Sequence, residues 1–110
     1  LPAMETSNVG SGKLLGHDVM VQSTFTAAMR PDGSWYGECP AGVIFCAEGV
    51  ATFKCIGVGN MTAEGGVAFK GGASFETTSE GLSELNGKFY VFNYDSDPEG
   101  NAEWNLYPFK

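Results

Sequence analysis

At 110 residues and 43% hydrophobic content the chain has the length and apolar share of one folded domain, which argues against a division within it and against a disordered segment. Thirteen acidic against six basic side chains give a net charge of −7, which argues against nucleic acid and anionic membrane as partners, since both reward clustered Lys and Arg. No run approaches the ~18 apolar residues of a membrane helix, and the sixteen glycines follow no period, so they mark turns and bends.

In chain order, residues 1–6 read as an expression or processing remnant and 7–110 as a single domain. The stretch 10-GSGK-13 lacks the upstream glycine of a phosphate loop, and Leu14 stands where a magnesium-holding hydroxyl belongs. His17, the single histidine, has no second imidazole with which to hold a metal.

Period-two alternation then dominates. In 19-VMVQSTFTAAM-29 one face carries Val19, Val21, Ser23, Phe25, Ala27 and Met29, the pattern of a half-buried strand. The turn 31-PDG-33 predicts a three-residue hairpin that sets Met29 opposite Trp35, Ala27 opposite Gly37 and Phe25 opposite Cys39. Tyr36 and Glu38 then point outward. A bend is expected at 40-PAG-42, followed by a hairpin of 43-VIFCA-47 with 52-TFKCIGV-58.

Cys39, Cys46 and Cys55 lack metal spacing, and structural zinc is rejected for want of a CxxC pair. Cys39 and Cys46 lie about 23 Å apart along a regular strand, and a turn at Glu48-Gly49 that pairs Cys46 with Ala51 leaves Cys55 roughly 13 Å further on. Neither separation suits a disulfide. Buried free thiols in a reducing cytoplasm follow as the expectation, with a mature secreted form left open; the acceptor pattern 60-NMT-62 matters only in that second case.

Beyond a turn at 63-AEGG-66 whose register stays open, 67-VAFKGGASFET-77 places Val67, Phe69, Ala73 and Phe75 on one face, with a bend or bulge expected at 71-GG-72. Thr77 and Glu80 have capping-box spacing ahead of a short helical turn with Leu82 and Leu85 inward, closed by 86-NG-87. The last hairpin joins 88-KFYVFNY-94 to 102-AEWNLYPF-109. Pairing Asp95 with Asn101 puts Tyr90, Phe92 and Tyr94 on one face with Trp104 and Leu106. The loop 95-DSDPEG-100 has the alternating carboxylates of a calcium loop, yet Leu106 replaces the closing glutamate and flanking helices are missing. No metal and no cofactor is implied.

Seven or eight short-linked strands with no crossover helix predict an all-β fold, a small antiparallel up-and-down barrel, with a sandwich as the alternative. A small barrel is either filled by its side chains or holds one small ligand. Phe25, Trp35, Phe69, Phe75, Tyr90, Tyr94 and Trp104 are the candidate ligand-binding set. Small inward residues (Ser23, Ala27, Gly37, Ala73) leave space beside the rings, and Tyr90, Tyr94 and Trp104 carry polar tips.

The C-terminal half, through 65-GGVAFKG-71, 82-LSELNG-87 and 91-VFNYDSDPEGN-101, resembles a group of small uncharacterised bacterial proteins of unknown function. The resemblance implies a compact barrel broadly similar to the allene oxide cyclase type, whose apolar cavity holds a lipid-like or polyketide-like substrate. It implies no catalytic residue.

Three functions fit: a carrier of a small apolar ligand, a cofactor-free cyclase or isomerase, and a solid-core homo-oligomeric assembly module. The second needs an inward acid or base, and Glu38 faces outward. The third draws on Tyr36, Val91, Tyr107 and Phe109 on the outer face.

Overall fold

The computed structural model describes residues 3–99 and 101–109. Seven antiparallel strands form one sheet in chain order: β1 (Ala3–Leu14), β2 (His17–Met29), β3 (Trp35–Cys46), β4 (Gly49–Met61), β5 (Val67–Glu76), β6 (Phe89–Ser96) and β7 (Ala102–Pro108). Each strand pairs with its sequence neighbours, so the fold is an up-and-down meander. It curls into a half-barrel whose two edges are β1 and β7. A single sheet in this order sets aside the sandwich alternative.

Alternation along the strands decides which face is inside. In β2, Val19 and Ala27 are buried, Val21, Ser23, Phe25 and Met29 half-buried, and Met20, Gln22, Thr26 and Ala28 exposed. In β4, Ala51, Phe53, Gly57 and Gly59 are buried while Thr52, Lys54, Ile56 and Val58 face water. The first hairpin register holds as expected over Met29↔Trp35, Ala28↔Tyr36 and Ala27↔Gly37. Its turn is closed by the Arg30 N–H donating to Ser34 O at 2.7 Å, with Gly33 at φ +90°. The Ala63–Gly66 turn is built alike: Thr62 N–H donates to Gly66 O at 2.9 Å, Gly65 also sits at φ +90°, and Met61 meets Val67.

Four expectations need correction. First, β1 is a full strand where the sequence pattern places none, paired from Ala3↔Ala28 to Leu14↔His17 and including 10-GSGK-13. Second, 40-PAG-42 does not separate two strands; β3 runs through it with a bulge. The register shifts between Thr24 and Thr26 on one side and between Cys39 and Gly42 on the other. Proline suits a bulge because it has no N–H to give a ladder. Third, 71-GG-72 carries no bulge, since the ladders to β4 and β6 pass through it unbroken. The glycines serve close approach instead: a Cβ at Gly71 would fall on the Ile56 carbonyl, and one at Gly72 on the Phe89 ring. Fourth, the last hairpin pairs Asp95 with Glu103 and Ser96 with Ala102, two residues away from the expected register. Asp97 tightens its loop by accepting the N–H groups of Glu99 (3.0 Å) and Asn101 (2.8 Å). The faces survive this shift because side chains repeat every two residues.

One end of the half-barrel is plugged. A 3-10 helix over Glu80–Leu85 buries Leu82 and Leu85 completely, and they pack in one cluster with Val19, Ile44, Ala51, Phe53, Phe75 and Tyr90. The expected capping box is absent, because Ser79 occupies the cap position and makes no side-chain cap bond. Thr77 Oγ1 donates to Val50 O at 2.6 Å, and the Ser79 hydroxyl accepts the Val50 N–H at 3.0 Å. Asn86 clamps the loop by accepting the Thr77 N–H and donating to Thr77 O, both at 2.9 Å.

Candidate functional site

Away from the plug, the inner face lines a half-open cavity of about 90 Å³. Its wall carries six rings: Phe25 from β2, Phe53 from β4, Phe69 from β5, Phe92 and Tyr94 from β6, and Trp104 from β7. Phe53 and Trp104 lie 5.2 Å apart between centroids, Phe92 meets Trp104 edge-on at 6.0 Å, and Phe25 meets Tyr94 edge-on at 6.5 Å. These spacings are those of attractive aromatic contact. Glycines seat the rings. A Cβ at Gly37 would stand 3.1 Å from the Phe69 ring and one at Gly59 only 2.6 Å from it, while a Cβ at Gly42 would fall on Phe53.

Polar groups in the wall are few. Ser23 contributes a hydroxyl and Tyr94 a phenol whose pKa burial pushes up. Glu38 also borders the cavity, but its side chain is exposed, as the alternation predicts. A larger groove between β1 and β7, including Gly12, Leu14, Leu106 and Asn105, shares Ser23, Tyr94 and Trp104 with the cavity. The groove and the cavity therefore lie against the same three side chains.

Two thiols complete the wall. Cys39 of β3 and Cys55 of β4 are direct cross-strand partners. The β3–β4 turn is a two-residue loop that pairs Cys46 with Gly49, not Ala51, and the extra residue at the Pro40–Ala41 bulge then brings Cys39 opposite Cys55. Cys39–Cys46 and Cys46–Cys55, the two separations weighed from the sequence, stay long, and the opposed pair is a third one. All three cysteines are free thiols; Cys39 is 3% exposed and Cys55 half-buried. A hydrogen bond from the Cys55 thiol holds Cys39 down at about 7, against its burial, and the N–H groups of Ala41 and Thr24 add to the effect. The same hydrogen bond, together with burial, pushes Cys55 up. Thr24 and Ala41 face each other beside the two register shifts.

Of the seven residues expected at the site, Phe25, Phe69, Tyr94 and Trp104 meet in the cavity wall. Phe75 and Tyr90 do not; they pack edge-on at 5.3 Å inside the plugged end. Burial, followed by the nearby Glu84 carboxylate, raises the Tyr90 phenol. Trp35 pairs with Met29 and Gly59 toward the opposite end, outside the cavity lining, and its indole N–H is buried with no acceptor among the described residues. Ser23 and Gly37 line the cavity as the small-residue argument expects, whereas Ala27 and Ala73 do not.

Phe53, Phe92, Cys39 and Cys55 are wall residues outside the expected set. The alternation Ala51, Phe53, Cys55, Gly57 is present in the sequence, but the outward Ile56 and Val58 mask it. Elsewhere on the surface, His17 Nδ1 lies 3.3 Å from a Glu48 carboxylate oxygen, an ordinary partner across neighbouring turns. On the outer face Val91 and Tyr107 are exposed partners and Phe109 is exposed, while Tyr36 is half-buried beneath the Arg30 guanidinium at 4.8 Å.

The arrangement defines a class: an antiparallel half-barrel with an aromatic cavity on its inner face. Beyond that class, the chain matches no protein family, no curated protein and no solved structure.

Proposed function

We propose that the protein binds a slender apolar molecule in the half-barrel. The observation that supports this is a wall of six aromatic rings around open volume, with a larger groove along the β1–β7 seam that shares Ser23, Tyr94 and Trp104. Ligand pockets are commonly apolar, with a few polar groups that fix orientation. The Ser23 hydroxyl and the Tyr94 phenol supply that role here. About 90 Å³ accommodates several water-sized groups, so one aromatic ring or a short acyl chain fits the cavity. A longer tail extends into the seam.

The resemblance to allene oxide cyclase-type barrels expected from the sequence would belong to this same reading, as an apolar cavity for a lipid-like molecule. Binding is favoured over cyclisation because Glu38, the one carboxylate on the wall among the described residues, is exposed. The open volume likewise disfavours a solid assembly module.

The test is titration of the Trp35→Phe protein with benzene and with a short-chain fatty acid, read by Trp104 fluorescence, together with native mass spectrometry of freshly purified wild type. Saturable binding that Ser23→Leu abolishes is the expected result. Unsaturable binding, or a dimer without bound molecule whose Trp104 signal ignores both probes, overturns the proposal and leaves assembly through the Val91–Tyr107 face.

A further inference from the structure

A disulfide needs two sulfurs on neighbouring backbones, and the bulge at Pro40–Ala41 supplies that arrangement. Directly opposed residues of an antiparallel pair have Cα atoms about 4.5–5.5 Å apart, inside the roughly 4.4–6.8 Å window of a disulfide. Cys39 and Cys55 are so opposed, both are reduced, and both line the same cavity. Cys46 has Gly49 opposite it and no such partner.

We propose that Cys39 and Cys55 are a peroxide-oxidisable dithiol that closes reversibly into a cross-strand disulfide in the cavity wall. Hydrogen peroxide is close to water in size and fits the cavity. The Cys39 sulfur is the attacking atom, because it carries the thiolate near neutral pH while Cys55 stays protonated. It bonds to one peroxide oxygen, the O–O bond breaks, hydroxide leaves, and Cys39 becomes a sulfenic acid. The Cys55 sulfur then bonds to the Cys39 sulfur, the S–O bond breaks, and the Cys55 proton departs with that oxygen as water. In sum two thiols and one peroxide give one disulfide and two waters, with two electrons passing from sulfur to oxygen. A dithiol reductant reverses the state by exchange.

This inference rests on sulfur positions and holds whether or not the cavity binds an apolar ligand. It is tested by treating the reduced, folded protein with hydrogen peroxide, unfolding it in N-ethylmaleimide, and mapping its peptides without reduction. Wild type and Cys46→Ser should each lose two hydrogen atoms and yield one link between the Cys39 and Cys55 peptides, and dithiothreitol should restore both thiols. In Cys55→Ser the reaction should stop at Cys39 sulfenic acid, which dimedone captures. Recovery of Cys39 and Cys55 as maleimide-labelled thiols after peroxide overturns the proposal. So does conversion of Cys39 to sulfinic acid without a link. The wild-type map decides the matter even where a variant folds poorly.

Discussion

The two ends of the half-barrel use the same aromatic inner face for opposite purposes. At the plugged end, Phe75 and Tyr90 are covered by Leu82 and Leu85, which the 3-10 helix presses down with no exposure. Further along the same strands, Phe69, Phe92 and Tyr94 have no helix above them, and glycines at 37, 57 and 59 face them. Phe53 belongs to both regions, touching Phe75 at 5.6 Å and Trp104 at 5.2 Å. An aromatic strand face thus does not by itself distinguish core from cavity. What distinguishes them is whether a separate element supplies aliphatic volume to fill the curl.

Leu85→Ala should break that contrast most strongly. It empties a fully buried site in the plug, and a deletion of this kind costs about 2–5 kcal/mol. Urea unfolding should show that loss, while probe binding in the surviving folded protein stays near wild type. Equal loss of binding affinity would mean that plug and cavity are one region.

Gly59→Ala acts on the other side of the comparison. Its Cβ would press on the Phe69 ring at 2.6 Å and drive it from its seat, an overpacking cost of roughly 1–3 kcal/mol. The larger consequence is in function. Phe69 should move into the cavity, so benzene affinity should fall by an order of magnitude or more while the plug keeps its packing. Unchanged affinity would remove Phe69 from the wall.

Asn86→Ala is smaller again. It deletes both hydrogen bonds to the Thr77 backbone at the root of the helical loop. These bonds are exposed, and about 1 kcal/mol is the expected loss in urea unfolding. Hydrogen exchange should quicken over the Glu80–Leu85 turn and not around Cys39.

These contrasts follow how much of the molecule the sequence makes visible. The Met29–Trp35 register is legible because Pro31-Asp32-Gly33 has one favoured turn geometry. The inward faces of β6 and β7 are legible although their register is off by two, since parity is all that a face requires. β1 is hidden because Gly10, Ser11, Gly12 and Lys13 carry no apolar alternation. The opposition of Cys39 and Cys55 is hidden because it depends on one extra residue at a bulge, which no local pattern counts. Sorting Phe75 and Tyr90 from Phe69 and Tyr94 requires knowing which end the Leu82–Leu85 turn covers, and that is a tertiary fact.

The finest change expected is in the pH profile of stability, and it tests whether the cavity wall, unlike the plug, holds a titrating pair. Cys39 falls from 9.0 to about 7 in the folded state, so between those values the unfolded chain binds more protons than the folded one and stability rises with pH. The gain is complete above about 9 and is lost as pH falls through about 7. Cys55 has the opposite sign: its folded pKa lies above 9.0, so its contribution is full below that value and declines as pH rises beyond it. The pair together should stabilise most near pH 9. The unfolding free energy of wild type minus that of Cys39→Ala/Cys55→Ala, measured in urea from pH 6 to 10.5, should therefore rise, peak and fall, whereas the same difference for Leu85→Ala should stay flat through this window. A thiol difference curve as flat as that of Leu85→Ala would mean that the two sulfurs do not share a proton in the folded protein.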